Sequence, residues 1–209
     1  MKHFGFTNFI NFSTGFGLIR QPVICGVRLE YEVKNIVYIA QSLDGYIAGP
    51  DGEIDWLEDI DNPNKSDLGF LAFMNTIDAL VMGRNTFEKV ASFDFWPYKK
   101  PVYVVSEKLS TISDRFAGKA FLIKGKPKEI ISTLNAKALC NLYIDGGLLI
   151  QSFLKENLID EIIVSTLPVI LGGGIPLFGT LSNKIKLKLE SSEVLINQLV
   201  QTHYRIIKT

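Results

Sequence analysis

"DALVMGRNTFEKV", residues 78–90, opens with an apolar run, Ala79 to Met82, that reads as a buried strand. The run stops at Gly83-Arg84-Asn85-Thr86, and a helix is expected to begin at once. Each residue type at this junction has a physical use. A glycine lets the backbone approach a ligand closely. A helix N-terminus presents unpaired N–H groups and a partial positive charge. Arg84 adds a fork of donors matched to phosphate, and Thr86 adds a hydroxyl. The stretch therefore predicts a β-α unit with an anion site where the strand hands over to the helix.

The same alternation extends to both sides. Ile36 to Ala40 is a short apolar run of strand type, and Phe70, Phe73, Met74 and Ile77 follow one face of a helix. "PVYVVS" (101–106) and "FLIK" (121–124) read as further strands, and Pro127 suits the first turn of a helix carrying Ile130, Ile131, Leu134 and Ala138. "NLYIDGG" (141–147) is a strand ending in glycines, followed by an amphipathic helix with Ile150, Phe153, Leu154 and Leu158. "DEIIVSTLPVIL" returns as a strand. The tail has a different pattern. Lys184, Lys186 and Lys188 alternate with Ile185, Leu187 and Leu189, a period of two that marks a strand with one wet face. Residues 194–207 are expected to pair with it as a hairpin. Alternating β and α units closed by a hairpin imply an α/β fold: a central, mostly parallel sheet, helices on both faces, and an antiparallel C-terminal edge.

Ligands of open α/β sheets bind at the carboxyl ends of strands. Four such ends carry chemistry here: "QSLDGYIAGPDG" after the first strand, Gly83 to Thr86, Ser106-Glu107-Lys108, and Asp145-Gly146-Gly147. Gly146-Gly147 opens a helix and forms a second candidate anion cradle. Two anion sites on strand ends suit a dinucleotide's pyrophosphate, and Ser106, Lys108 and Lys124 suit a further phosphate. Taken singly, Arg84 also reads as a partner of a surface carboxylate, Asp145-Gly146-Gly147 as a tight turn, and the lysines as solvated. "LGGGIPLF" (171–178) follows a strand rather than preceding a helix, so it reads as a bend beside the site and not as a phosphate loop.

Bulk properties narrow the classes. The chain has 209 residues, 47% of them hydrophobic, enough for one domain with a real core. Lys+Arg and Asp+Glu balance at 22 each, with no basic stripe, which argues against a nucleic-acid partner. No apolar run is long enough to span a bilayer. Two distant cysteines, Cys25 and Cys140, predict reduced thiols and a cytoplasmic protein, with Cys140 a small core residue. The two histidines, His3 and His203, leave little from which to build a histidine triad or a zinc site. Residues 1–32, rich in Phe, Gly and Asn without a clean period, are expected to be a poorly ordered or non-native extension ahead of a domain at 33–209. A start at Val33, read as a GTG-encoded initiator, is the sharper form of that expectation.

In order, "IAQSLDGYIAGPDGEIDWL", "DALVMGRNTFE", "PVYVVS", "LYIDGGLLIQSFLKENLIDEIIVS" and "PVILGGGIPLF" resemble the dihydrofolate reductase-like superfamily, in the branch of the C-terminal reductase domain of bacterial riboflavin biosynthesis enzymes. The resemblance covers about residues 33–208. It implies a dihydrofolate reductase-like fold, NADPH as hydride donor and a homodimer. It places Ala40 and Ile47 at the nicotinamide, and Gly83, Arg84, Asn85 and Thr86 in the phosphate motif. Ser106 falls at the adenosine phosphate with Lys124 near the same edge. Gly146 and Gly147 lie under the pyrophosphate, followed along the cofactor by Leu148 and Leu149.

On the substrate side, the resemblance matches Trp56 to a flanking tryptophan, Asp61 by spacing to a pterin-binding carboxylate, and Ser165 to the hydroxyl residue that supports that carboxylate. Asp61 is the first candidate to contact substrate, with Asp55 behind it, and Asp44-Gly45 is a turn lining the pocket. "MGRNTFEKVASFDFW" is closer to folate reductases than to the longer phosphosugar segment of riboflavin reductases. No H-x-E and P-C-x-x-C deaminase signature is present. The expected function is NADPH-dependent reduction of a C=N or C=O bond in a pterin-like or pyrimidine-like heterocycle. Two alternatives stay open: a riboflavin-pathway 5-amino-6-(5-phosphoribosylamino)uracil reductase, and a catalytically silent nucleotide-binding module.

Overall fold

The computed structural model describes residues 33–208. Their strands are β1 (Lys34–Ser42), β2 (Tyr46–Ala48), β3 (Ala79–Gly83), β4 (Val102–Val105), β5 (Ala120–Ile123), β6 (Asn141–Asp145), β7 (Glu161–Leu167), β8 (Ile175–Pro176), β9 (Leu187–Leu195) and β10 (Leu199–Ile206). The helices are α1 (Phe70–Thr76), α2 (Arg84–Ala91), α3 (Pro127–Asn135) and α4 (Gly147–Lys155). Eight strands form one sheet in the order β5-β4-β3-β6-β1-β7-β10-β9, and β2 pairs with β8 in a separate ribbon. All pairings from β5 across to β7 are parallel, while β10 is antiparallel to both β7 and β9. This is the α/β architecture that the alternation implied.

Side-chain alternation along the strands sorts the core into two layers. Val37, Ala79, Val81, Leu142 and Ile144 face Ile130 and Leu134 of α3 and Ile150 and Phe153 of α4. Their neighbours Ile36, Leu80, Met82, Val102, Val104 and Tyr143 face Phe73 and Met74 of α1 and Phe87 of α2. Because both faces are covered, the central strands read as continuous apolar runs. A third, smaller cluster joins Trp56, Ile60, Leu167 and Leu199 near the end of β1.

Three boundaries differ from the periodicity. Ala138 lies past α3 in a left-handed turn (φ 60°), and Leu139 N–H closes that turn onto the Leu134 carbonyl. Leu158 likewise follows α4, with Asn157 at φ 55° and Leu158 N–H on the Phe153 carbonyl. In both cases an apolar residue after the helix end packs beside the helix and mimics another helical turn. In the tail, the hairpin strand begins at Leu187 and runs to Leu195, so Lys184 and Lys186 precede it and residues 194 and 195 belong to the first arm. Cys140 is half-buried, a free thiol whose pKa burial pushes up. The expectations for residues 1–32, including Cys25 and His3, lie outside the described residues.

Candidate active site

Because β1, β3, β4, β5, β6 and β7 are mutually parallel, their carboxyl ends share one edge of the molecule. β3 and β6 are neighbours, with Met82 opposite Asp145. The Gly83 junction and the Gly146-Gly147 junction therefore lie side by side. Neither α2 nor α4 has a side-chain cap at its N-terminus. Their first N–H groups are left to whatever enters between them.

The contact is close. Gly146 has φ +93°, and a Cβ there would stand 2.3 Å from Thr86 Oγ1. A Cβ on Gly147 would stand 2.9 Å from Ile47 Cδ1 and 3.2 Å from Ile175 Cγ2. A Cβ on Gly83 would meet nothing within 4 Å, so the space ahead of α2 is open. The fold thus gathers Gly83, Thr86, Gly146, Gly147 and Ile47. Asn85 follows Arg84 in the first turn of α2, Leu148 is exposed at the start of α4, and Leu149 packs partly on the core.

Arg84 begins α2, and its guanidinium bonds Glu88 at 3.1 Å in an exposed i,i+4 pair. The structure thus shows the surface-carboxylate partner, in a solvated and weak pair. Further along the same edge, the Ser106 hydroxyl accepts the N–H groups of Lys108 and Leu109, fixing the turn after β4. Lys108 and Lys124 are both exposed, on the adjacent ends of β4 and β5. Glu107 ties the two loops by accepting the Gly125 N–H.

At the other side of the crevice, the Asp44 carboxylate accepts the Ser42 hydroxyl at 2.6 Å and the N–H groups of Leu171 and Gly172. Those bonds hold its pKa below the ordinary value, the Ser42 bond contributing most. Asp44 thereby fastens the glycine-rich bend to the turn after β1, and the bend leads into β8 beside Gly147. Trp56 is buried, and Ala40 packs on the same cluster. The Trp56 indole N–H finds no acceptor among the described residues.

Asp61 and Asp55 are exposed, and the bond recorded for Asp61 is through its carbonyl, which accepts the Gln198 amide. Ser165 is buried, but its hydroxyl accepts the Gln201 amide at 2.9 Å rather than holding Asp61. The same Gln201 amide reaches Tyr38 Oη, which donates to the Leu68 carbonyl. Burial raises the Tyr38 pKa, the Gln201 bond opposes that rise, and the charges of Asp67 and Glu193 add to it. Asp67 stands at the head of α1, where it accepts the Gly69 and Leu71 N–H groups.

Asp145 was legible only as a turn residue. It sits at the end of β6, and one carboxylate oxygen accepts the Gly146 N–H. Burial raises its pKa to about 6, and the Gly146 N–H offsets part of that rise. Burial, then the Asp145 charge, also lifts the Tyr98 and Tyr143 hydroxyls well above their ordinary value. A carboxyl that titrates near neutrality beside the glycine pair is the kind of group a proton-transfer site uses. The signal available in the sequence was its position, immediately before two glycines at a strand end.

Similarity to known proteins agrees with this architecture. The RibD C-terminal domain model matches residues 34–201. The Bacillus subtilis protein YwjB is 38% identical over 176 residues, which span 83% of this chain and 98% of YwjB. The crystal structure of a riboflavin-biosynthesis candidate protein of Shewanella sp. PV-4 superposes with a TM-score of 0.81 at 50% identity, over 84% of this chain and 99% of that one. Dihydrofolate reductase of Enterococcus faecalis, solved with NADP(H), shares the fold: TM-score 0.60 and 14% identity, over 84% of this chain and 97% of that one. The chain belongs to the RibD C-terminal domain family, a branch of the dihydrofolate reductase-like fold.

Proposed function

We propose that the protein is an NADPH-dependent reductase of a small pterin-like or pyrimidine-like heterocycle. The observation that carries this reading is the meeting of two uncapped helix N-termini, α2 and α4, on neighbouring parallel strand ends. That pair offers a pyrophosphate two sets of N–H donors, with no side-chain cap on either helix. The open space at Gly83 and the close approach at Gly146 fit such a group. Family membership supports it, as does the NADP(H) complex of the Enterococcus faecalis neighbour.

When bound, NADPH supplies the hydride. The residues of this chain do the rest. Arg84, Asn85 and Thr86 hold the pyrophosphate with the helix ends, while Ser106, Lys108 and Lys124 hold the ribose phosphate. Ala40 and Ile47 flank the nicotinamide, with Leu148 and Leu149 beside the dinucleotide. Trp56 walls the substrate, and its free indole N–H is offered to it. The proton for the reduced heteroatom comes from an acid or a water at the substrate end of the crevice. Asp55 and Asp61 stay at the solvent side of this arrangement.

The alternative within the same chemistry is a riboflavin-pathway 5-amino-6-(5-phosphoribosylamino)uracil reductase, which the RibD C-terminal match supports. A homodimer, a cytoplasmic setting and a domain at 33–209 preceded by a separate segment belong to the same reading. Among the described residues no helix is long and apolar enough to cross a membrane.

Titration of NADPH against the protein and Arg84→Ala tests the reading. Loss of a charged hydrogen bond to phosphate should weaken binding by about 1.5–3 kcal/mol. An unchanged dissociation constant removes Arg84 from the site. Tight NADPH binding without turnover on dihydrofolate or aminopyrimidine substrates indicates the silent binding module.

A further inference from the structure

A cleft of about 660 Å³ runs between α1 and the strands β1, β7 and β10. Lys34, Asn141 and Glu161 line its outer end, at the amino ends of β1, β6 and β7. Those strand ends lie opposite the edge that carries the candidate active site. Ile36 and Ile163 give the cleft an apolar floor, and Ala72 and Phe73 of α1 an apolar wall. Its size is within the range of small-molecule sites.

The polar groups of the lining are unequally used. Most donors are spent. Lys34 Nζ lies 2.9 Å from Glu161, Tyr38 Oη donates to the Leu68 carbonyl, and Thr76 Oγ1 donates to the Phe73 carbonyl. The Gln201 amide nitrogen is held by Ser165 Oγ and Tyr38 Oη. His203 Nε2 stands 2.9 Å from the Glu161 carboxylate. A carboxylate only accepts, so Nε2 carries the proton, and Nδ1 of the neutral ring is left as an acceptor. Asn141 carries both kinds of group. The remaining acceptors are not spent. His203 Nδ1, Gln201 Oε1 and the exposed Glu193 carboxylate have no hydrogen-bond or ion-pair partner among the described residues. Lys34 and Glu161 cancel in charge, so Glu193 leaves the lining with one net negative charge.

We propose that this cleft is a second ligand site, which takes the ammonium or guanidinium group of a small organic cation and lays its apolar stem on Ile36, Ile163 and Phe73. The cation's N–H groups meet the three open acceptors, and its charge meets Glu193. An anion would be repelled by Glu193, and an uncharged apolar molecule would bury acceptors without donors. The inference is independent of the cofactor reading, and its test uses no NADPH.

The test is a titration of the isotope-labelled full chain with n-pentylammonium, followed by amide chemical shifts. Saturable shifts are expected at Ala72, Phe73, Glu193 and His203, with Gly83 and Gly146 unmoved, and a dissociation constant of about 1 mM or lower. n-Pentanol has the same stem and no charge, and should bind about fivefold more weakly. Glu193→Gln should weaken pentylammonium binding about fivefold. Ala72→Trp, which fills the cleft from an exposed helix position, should abolish the shifts. Amides elsewhere in the spectra of both variants report that the fold is kept. Pentylammonium shifts that do not saturate, or that scatter over other acidic surface, overturn the proposal. So does equal affinity for pentanol, or an affinity that neither variant lowers.

Discussion

Thr86 and Gly146 meet across the gap between two helix ends: a Cβ on Gly146 would stand 2.3 Å from Thr86 Oγ1 and 3.9 Å from the Gly83 nitrogen. The contact draws the N-termini of α2 and α4 together on adjacent strands. Glycine is required twice over at position 146, by this approach and by φ +93°.

Gly146→Ala should therefore destabilise the fold by about 1–3 kcal/mol, from left-handed strain and overlap together. Adding Thr86→Ala should recover the overlap part and leave the strain. Denaturant unfolding of the two single variants and the double variant measures the coupling. Strict additivity would mean that the two side chains do not touch.

Lys108 and Lys124 lie on neighbouring strand ends beyond Ser106. If they read the phosphate that distinguishes NADPH from NADH, Lys108→Ala or Lys124→Ala should lower the preference for NADPH by about tenfold or less, as suits solvated charges. Affinity for NADH should barely change. Equal losses for both cofactors would place the lysines elsewhere in the site.

Asp145 gives a pH signature. Its folded pKa, about 6, lies above the value of 3.8 for an ordinary aspartate. The folded state then binds more protons than the unfolded one between these values, so this group's contribution to stability falls as pH rises through the window. Asp145→Asn should raise stability at pH 8 by about 1–2 kcal/mol and have little effect at pH 3. Thermal melts at the two pH values decide it.

Asp44 works the other way. Its folded pKa is depressed, so its bonds to Ser42, Leu171 and Gly172 hold above the ordinary carboxylate pKa and are lost as pH falls through the depressed value. Asp44→Ala should free the 171–174 bend. Hydrogen exchange at the Leu171 and Gly172 amides should accelerate severalfold, while amides of β3 and β6 keep their protection. Unchanged exchange at Leu171 would show that the bend is held by other contacts.

The strand and helix sequence, the glycine junctions and the family pattern were legible in the residues, because each depends on neighbours within a few positions. Residues 78–90 show this best: apolar run, glycine, uncapped helix start. The helix ends were harder to read, since Ala138 and Leu158 keep the apolar spacing while the backbone has already turned. Asp61 and Ser165 show where spacing stops being informative: Asp61 is exposed, and the Ser165 hydroxyl is met by Gln201 of the neighbouring strand β10, far away in sequence.

By itself, the sequence determined that parallel strands would carry glycine-rich junctions with donors at their ends, because apolar periodicity and backbone freedom are local properties. Tertiary structure alone decided that the ends of β3 and β6 are neighbours, that burial lifts Asp145 toward neutrality, and that Gln201 of β10 meets the Ser165 hydroxyl of β7. Strand order, desolvation and cross-strand register arise from residues brought together over long stretches of chain, and no local pattern encodes them.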